Sequence, residues 1–139
     1  VDYMVKGSTS KKVVIFSHEL SRSGAPVALR YLSRILINNG YSVHIVSQGN
    51  DSALFDFLED RVSVTMLQGS ILNEGEVLYY SSECKLVIVS TILLHEIVET
   101  LRGKKTVIWW IHELSEGYGE YPSSFRFSEN SRFYENYPF

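Results

Sequence analysis

The sequence predicts an α/β domain of Rossmann-like type, a parallel sheet with helices on both faces. Three observations predict it. Short apolar runs rich in β-branched residues recur along the chain. They alternate with amphipathic stretches of helix length, and polar residues gather where each run stops. Runs that stay apolar throughout suit central parallel strands buried on both faces. Strand–helix alternation implies right-handed crossovers and a parallel sheet.

The first run is Val13-Val14-Ile15-Phe16, followed by Val43 to Val46, Leu86 to Val89 and Val107 to Ile111. Val62 to Leu67 alternates more loosely. Five strands are therefore expected near residues 13–17, 43–47, 62–67, 86–90 and 106–111. Their spatial order should be third, second, first, fourth, fifth, as in a Rossmann-like start. The clearest helix lies between the first two strands. Pro26 suits its first turn, and Ala28, Leu32, Ile35 and Leu36 are read as its apolar stripe. Asn38-Asn39-Gly40 ends it, with Gly40 free to take the left-handed conformation. Weaker helices are expected near Ser52–Glu59, Glu74–Ser82 and Leu94–Leu101, the second partly irregular.

At 139 residues the chain has room for one ordinary domain. Val1 to Lys12 reads as a polar lead-in without a signal-peptide hydrophobic region, and residues 13–139 as the domain. A 45% hydrophobic and 21% charged composition is globular. A net charge of -3 gives no general attraction for nucleic acid. The single cysteine, Cys84, cannot form an internal disulfide, which fits a reducing compartment. No apolar run approaches the ~20 residues that cross a bilayer. A cytoplasmic address is the default. Lys11-Lys12 and Lys104-Lys105 read as solvated strand flanks.

Ligands of such sheets bind in the crevice beyond the carboxyl ends of the strands. The residues expected there are Ser17 to Pro26, Ser47-Gln48-Gly49, Ser90-Thr91 and His112 to Gly117. Within Ser21–Pro26, a glycine between a buried strand and a helix lets backbone amides approach an anion. The alternative is that Gly24 only makes the turn while Ser23 caps the helix. G-x-G-x-x-G is absent, which counts against a dinucleotide-dependent oxidoreductase. His112, directly after a strand and beside Glu113, suits proton transfer to or from a hydroxyl, or else closes the strand through a backbone hydrogen bond. His18 is open to the same two readings; His44 and His95 read as structural. The histidines lack metal-ligand spacing, so neither metal nor cofactor is expected.

The segment KKVVIFSHELSRSGAPVALRYLSRILINNGYSVHIVS resembles the opening of a family-4, retaining glycosyltransferase of the GT-B fold. VIWWIHE resembles a later strand of the same domain, which ends in a histidine followed by an acidic residue. The two matches stand in the right order, and the resemblance covers most of residues 12–117. It implies a hexosyltransferase-like enzyme that moves a sugar from a nucleotide-sugar donor to a glycan or lipid-linked acceptor. This chain would be the N-terminal, acceptor-side half. The donor would be held mainly by a second Rossmann-like domain carrying Glu-x7-Glu, so the chain is expected to be truncated and inactive alone. His112 would orient donor sugar or acceptor, and Gly24 would admit the donor phosphates. Ser23 stands where the family has a paired glycine. Arg22, Glu19 and Glu113 are further candidate binding residues. Peripheral association at the inner face of a membrane is compatible with a lipid-linked acceptor. The alternative is a non-catalytic Rossmann-like module that binds a nucleotide or a protein. The aromatic tail from Tyr118 to Phe139 reads first as core packing interrupted by truncation, with an acceptor loop, a surface that docks on a second domain and a membrane-proximal patch as the alternatives.

Overall fold

The computed structural model describes residues 1–4, 11–22, 24–67 and 72–111. Six strands form one sheet: β1 (Asp2–Tyr3), β2 (Lys11–Ser17), β3 (Tyr41–Ser47), β4 (Ser63–Met66), β5 (Leu86–Ser90) and β6 (Val107–Trp110). Four helices join them: α1 (Ala25–Asn38), α2 (Leu54–Glu59), α3 (Glu74–Ser81) and α4 (His95–Leu101), the last preceded by a 3-10 turn at Ile92–Leu94. The strand order is β1-β4-β3-β2-β5-β6. The five strands expected from the sequence are all parallel and run in the expected order. The addition is β1, a two-residue antiparallel strand on the edge of β4, lying inside the stretch read as a polar lead-in.

Strand alternation divides the core in two. Val13 and Ile15 of β2 face Leu29 of α1 and Leu54 and Phe57 of α2, with Val43, Ile45 and Val64 beside them. Val14 and Phe16 face the other way, toward Val77 of α3 and Ile97, Val98 and Leu101 of α4. Helices thus cover both faces, and β2 at the centre is buried from Val13 to Ser17.

α1 begins with Pro26 in its first turn and ends before Gly40, at φ +87°. Its inward face differs from the expected stripe. The buried positions are Pro26, Leu29 and Ser33, and Leu32, Leu36 and Ile37 pack partly against the core. Ile35 is 59% exposed. A serine at the centre of the buried face hides that face from hydropathy, because the periodicity is then read from its flanks.

α3 is regular over its whole length, not partly irregular. Asn73 Oδ1 accepts from Glu76 N at 2.8 Å, and Glu76 Oε1 accepts from Asn73 N at 3.4 Å. This reciprocal cap satisfies two orphan donors and fixes the start of a helix whose hydropathy is weakly patterned. The polar β4 residues are buried for a similar reason: Thr65 donates to Asp2 Oδ1 of β1 at 2.6 Å. A ladder with β1 and this hydrogen bond offset the cost of burying a hydroxyl at a strand next to the edge.

Candidate functional site at the carboxyl edge of the sheet

The register brings five strand ends to one level, with Ser17 opposite Ser47, Ser47 opposite Met66, Ser90 opposite Trp110, and Phe16 opposite Val89 joining the two sets. Beyond Ser17 the chain curls at once. Ser17 Oγ donates to the Glu19 carbonyl at 2.7 Å, Leu20 N donates to Asn50 O at 2.7 Å, and Ala53 N donates to Leu20 O at 2.8 Å. The loops after β2 and β3 are therefore stitched together. Gly49 permits this: a Cβ there would lie 3.0 Å from the His18 carbonyl and 3.3 Å from Glu19 Cβ. Hydropathy gives no hint of that close approach.

Gly24 is the N-cap of α1, at φ +61° and ψ -135°, with open space around its Cα. The constraint there is conformational, since an L side chain is strained at this φ even with room to spare. No side chain caps α1 from this position. Ser23 lies outside the described residues, as do His112 and Glu113. β6, whose chain continues toward His112, stands two strands from β2.

The end of β5 is strained. Thr91, β-branched, sits at φ +81°, a region such residues rarely enter. Hydrogen bonds hold it: Thr91 N to Trp110 O at 2.9 Å, Trp109 Nε1 to Thr91 O at 3.0 Å, Leu93 N to Thr91 Oγ1 at 3.3 Å and Leu94 N to Thr91 O at 3.4 Å. This bend turns the chain into the 3-10 segment and starts α4 at His95. Nearby, Ser47 Oγ and Ser90 Oγ are fully buried and have no hydrogen-bond partner among the described residues. A buried unpaired hydroxyl costs about 1–3 kcal/mol, so both carry donor capacity that the fold leaves unused.

A cavity of about 470 Å³ opens between these loops and the start of α3. His18 follows β2, Gln48 follows β3, and Leu93 to Ile97 follow β5; Leu72, Glu74 and Val77 close it from α3. Two imidazoles, two carboxylates and an amide thus surround an apolar floor. His18 is exposed and His95 half-buried at the head of α4. His95, read from the sequence as structural, lines this cavity; its signal was its place just beyond a strand end, which an in-helix reading masks. Among the described residues no cluster of His, Cys, Asp and Glu could hold a metal ion.

The other expected residues divide. Glu19 is half-buried beside this edge, its Oε1 accepting from Ser21 Oγ at 3.0 Å. Arg22 is turned the other way. Its Nε donates to Asp56 Oδ2 at 3.0 Å, and it lines a separate cleft of about 220 Å³ between α1 and α2. Arg30 and Arg34 share that cleft and both donate to Asp60 Oδ2, at 2.6 and 3.0 Å. Burial pushes the Asp60 carboxyl up, but the two guanidinium hydrogen bonds outweigh it and hold its pKa below the ordinary value.

A parallel sheet in this order, with a polar crevice past its carboxyl ends, is the frame the resemblance implied. A profile of glycosyl-transferase family 4 matches residues 9–129. The chain belongs to that family. No curated protein and no solved structure matches it. As a family-4 glycosyltransferase domain, it carries the α/β Rossmann-like character of a GT-B N-terminal half. No helix among the described residues is long and apolar enough to cross a membrane.

Proposed function

We propose that this domain is the acceptor side of a nucleotide-sugar-dependent, retaining glycosyltransferase that elongates a glycan or lipid-linked acceptor. The observation that carries this reading is the chemistry of the crevice. Its described lining has His18, His95, Gln48, Glu74 and Glu96 over apolar residues, and no Lys or Arg. Imidazole, amide and carboxylate groups match the donors and acceptors of sugar hydroxyls. A diphosphate needs cations or helix amides, which the start of α1 at Gly24 and a second domain would supply. His112, two residues beyond β6 in the sequence, would orient the donor sugar or the attacking hydroxyl, with Glu113 and Glu19 as further candidate binding residues. Arg22 would reach phosphate only after leaving Asp56. The enzyme would work in the cytoplasm, peripherally at the inner membrane face where its acceptor is lipid-linked.

Titration calorimetry of the 139-residue chain against nucleoside diphosphate sugars tests this. Weak or undetectable heat is expected, together with no sugar transfer, because most donor contacts and the water-excluding closure belong to two domains. Low-micromolar donor binding would favour the stand-alone nucleotide-binding module instead. In the two-domain enzyme, His112→Ala should lower turnover roughly ten- to a thousand-fold with an unchanged melting temperature. An active but unstable variant would end the case for His112.

A further inference from the structure

A second cavity, of about 580 Å³, lies at the opposite end of α3, over the amino-terminal ends of β2, β3 and β4. Its floor is an ordered polar relay. Thr65 gives its one hydroxyl proton to Asp2 Oδ1 at 2.6 Å, and His44 Nε2 lies 2.7 Å from the same Thr65 oxygen. Thr65 must then accept from His44, which places the imidazole proton on Nε2 and leaves Nδ1 an acceptor. Burial holds the His44 pKa below its ordinary value against the opposing pull of Asp2, so the ring is neutral at neutral pH.

The wall of the groove is aromatic. Tyr80 stacks on the His44 ring with centroids 6.2 Å apart and planes 18° from parallel. Tyr79 meets Tyr80 edge-on at 5.3 Å and is 74% exposed. On the rim Lys12 Nζ is paired with Glu83 Oε2 at 2.7 Å and Lys105 Nζ is held on the carbonyls of Ser82 and Cys84, so among the described lining residues the charge left over is that of Asp2. Phosphate and other anions are disfavoured by that balance. A lining of exposed aromatic surface beside an ordered hydroxyl, a neutral imidazole and a carboxylate suits a ligand with hydroxyls on its edges and C–H groups on its faces.

We propose that this groove binds a saccharide segment, as a second carbohydrate site at the end of the domain away from the crevice. The ligand class rests on the glycosyltransferase reading; the place rests on the groove alone. A growing glycan held here would be kept near the enzyme between transfers, with Tyr79 as the stacking platform and the His44–Thr65–Asp2 relay reading hydroxyls.

The test is heteronuclear NMR of the 139-residue chain with maltohexaose, cellohexaose and chitohexaose at millimolar concentration. At least one should shift resonances of His44, Thr65, Tyr79 and Tyr80, saturably. Tyr79→Ala, at an exposed position, should weaken that binding roughly ten-fold with an unchanged melting temperature, and Tyr79→Phe should restore it. Shifts confined to His18, Gln48 and His95 would place saccharide binding in the crevice and overturn the groove proposal while leaving the acceptor-side reading standing. No shift with any of the three, or shifts at the groove produced by inorganic phosphate instead, would also overturn it. Donor calorimetry judges the acceptor-side reading separately.

Discussion

The two faces of the sheet are covered differently, and helix length accounts for much of the difference. β2 and β3 have seven residues each, about 23 Å of strand. α1 has 14 residues, about 21 Å, and spans them nearly end to end, with the six-residue α2 beside it. On the opposite face α3 has 8 residues and α4 has 7, roughly 12 and 10 Å. Those helices seal the middle and leave both ends open, where the crevice and the His44 groove lie. The α1–α2 side is instead locked at its rim, with Asp56 and Asp60 binding three arginines. One face is clamped by ion pairs across a cleft of about 220 Å³, and the other carries the two larger concave surfaces.

Breaking the closed face should have the largest effect. Phe57 of α2 is 1% exposed among Leu54, Val62 and Val64. Phe57→Ala should cost about 3–5 kcal/mol of stability, read by urea denaturation. A loss below about 1 kcal/mol would mean that this face is not the sealed one.

Asp60→Asn comes next. It removes the charge that two guanidinium groups share, and should cost about 1–2 kcal/mol at neutral pH, discounted because the arginine heads are partly solvated. The pH dependence has a definite sign. A carboxyl with a lowered folded pKa contributes its stability above the ordinary value of 3.8 and loses it as pH falls through the folded value. Melting curves of wild type and variant should therefore converge in acid. Parallel curves across that range would show that the lattice is not what stabilises this rim.

The smallest effect belongs to the open face. His44 has a pKa lowered by burial, so the folded state binds its proton less readily than the unfolded chain does. Its contribution is complete above the ordinary value of 6.5 and declines as pH falls below it. His44→Gln should flatten the stability profile just below pH 6.5, and an unchanged slope in urea titrations there would contradict the buried, neutral imidazole.

The strands were legible because Val13 to Phe16, Val43 to Val46 and Leu86 to Val89 are contiguous, and parallel strands covered on both sides leave no other pattern. β1 was not, because two residues have no periodicity and their pairing with β4 is a long-range event. The inward face of α1 was read from its flank because Ser33 stands at its centre and Ile35 points outward. At the carboxyl edge of the sheet, the strand-end rule named the segments from which the crevice is lined, Gln48 after β3 and the chain that follows Ser90-Thr91. Which of their side chains converge was not readable, since His95 enters the crevice only through the bend at Thr91. Arg22 shows the converse: two residues before Gly24 in sequence, it is drawn off by Asp56, far along the chain.

The bend at Thr91 also bears on how much freedom the crevice itself would lose were a ligand to bind there. A β-branched residue held at φ +81° by the Trp109 indole and two backbone hydrogen bonds has few neighbouring conformations to visit. The side chains that follow it, Leu93, Leu94 and His95, are presented to the crevice from an already narrowed ensemble. Less conformational entropy then remains to be lost on binding, and more of each contact survives as affinity. The folding reaction carries the strain of that one torsion in advance, so that the binding step does not.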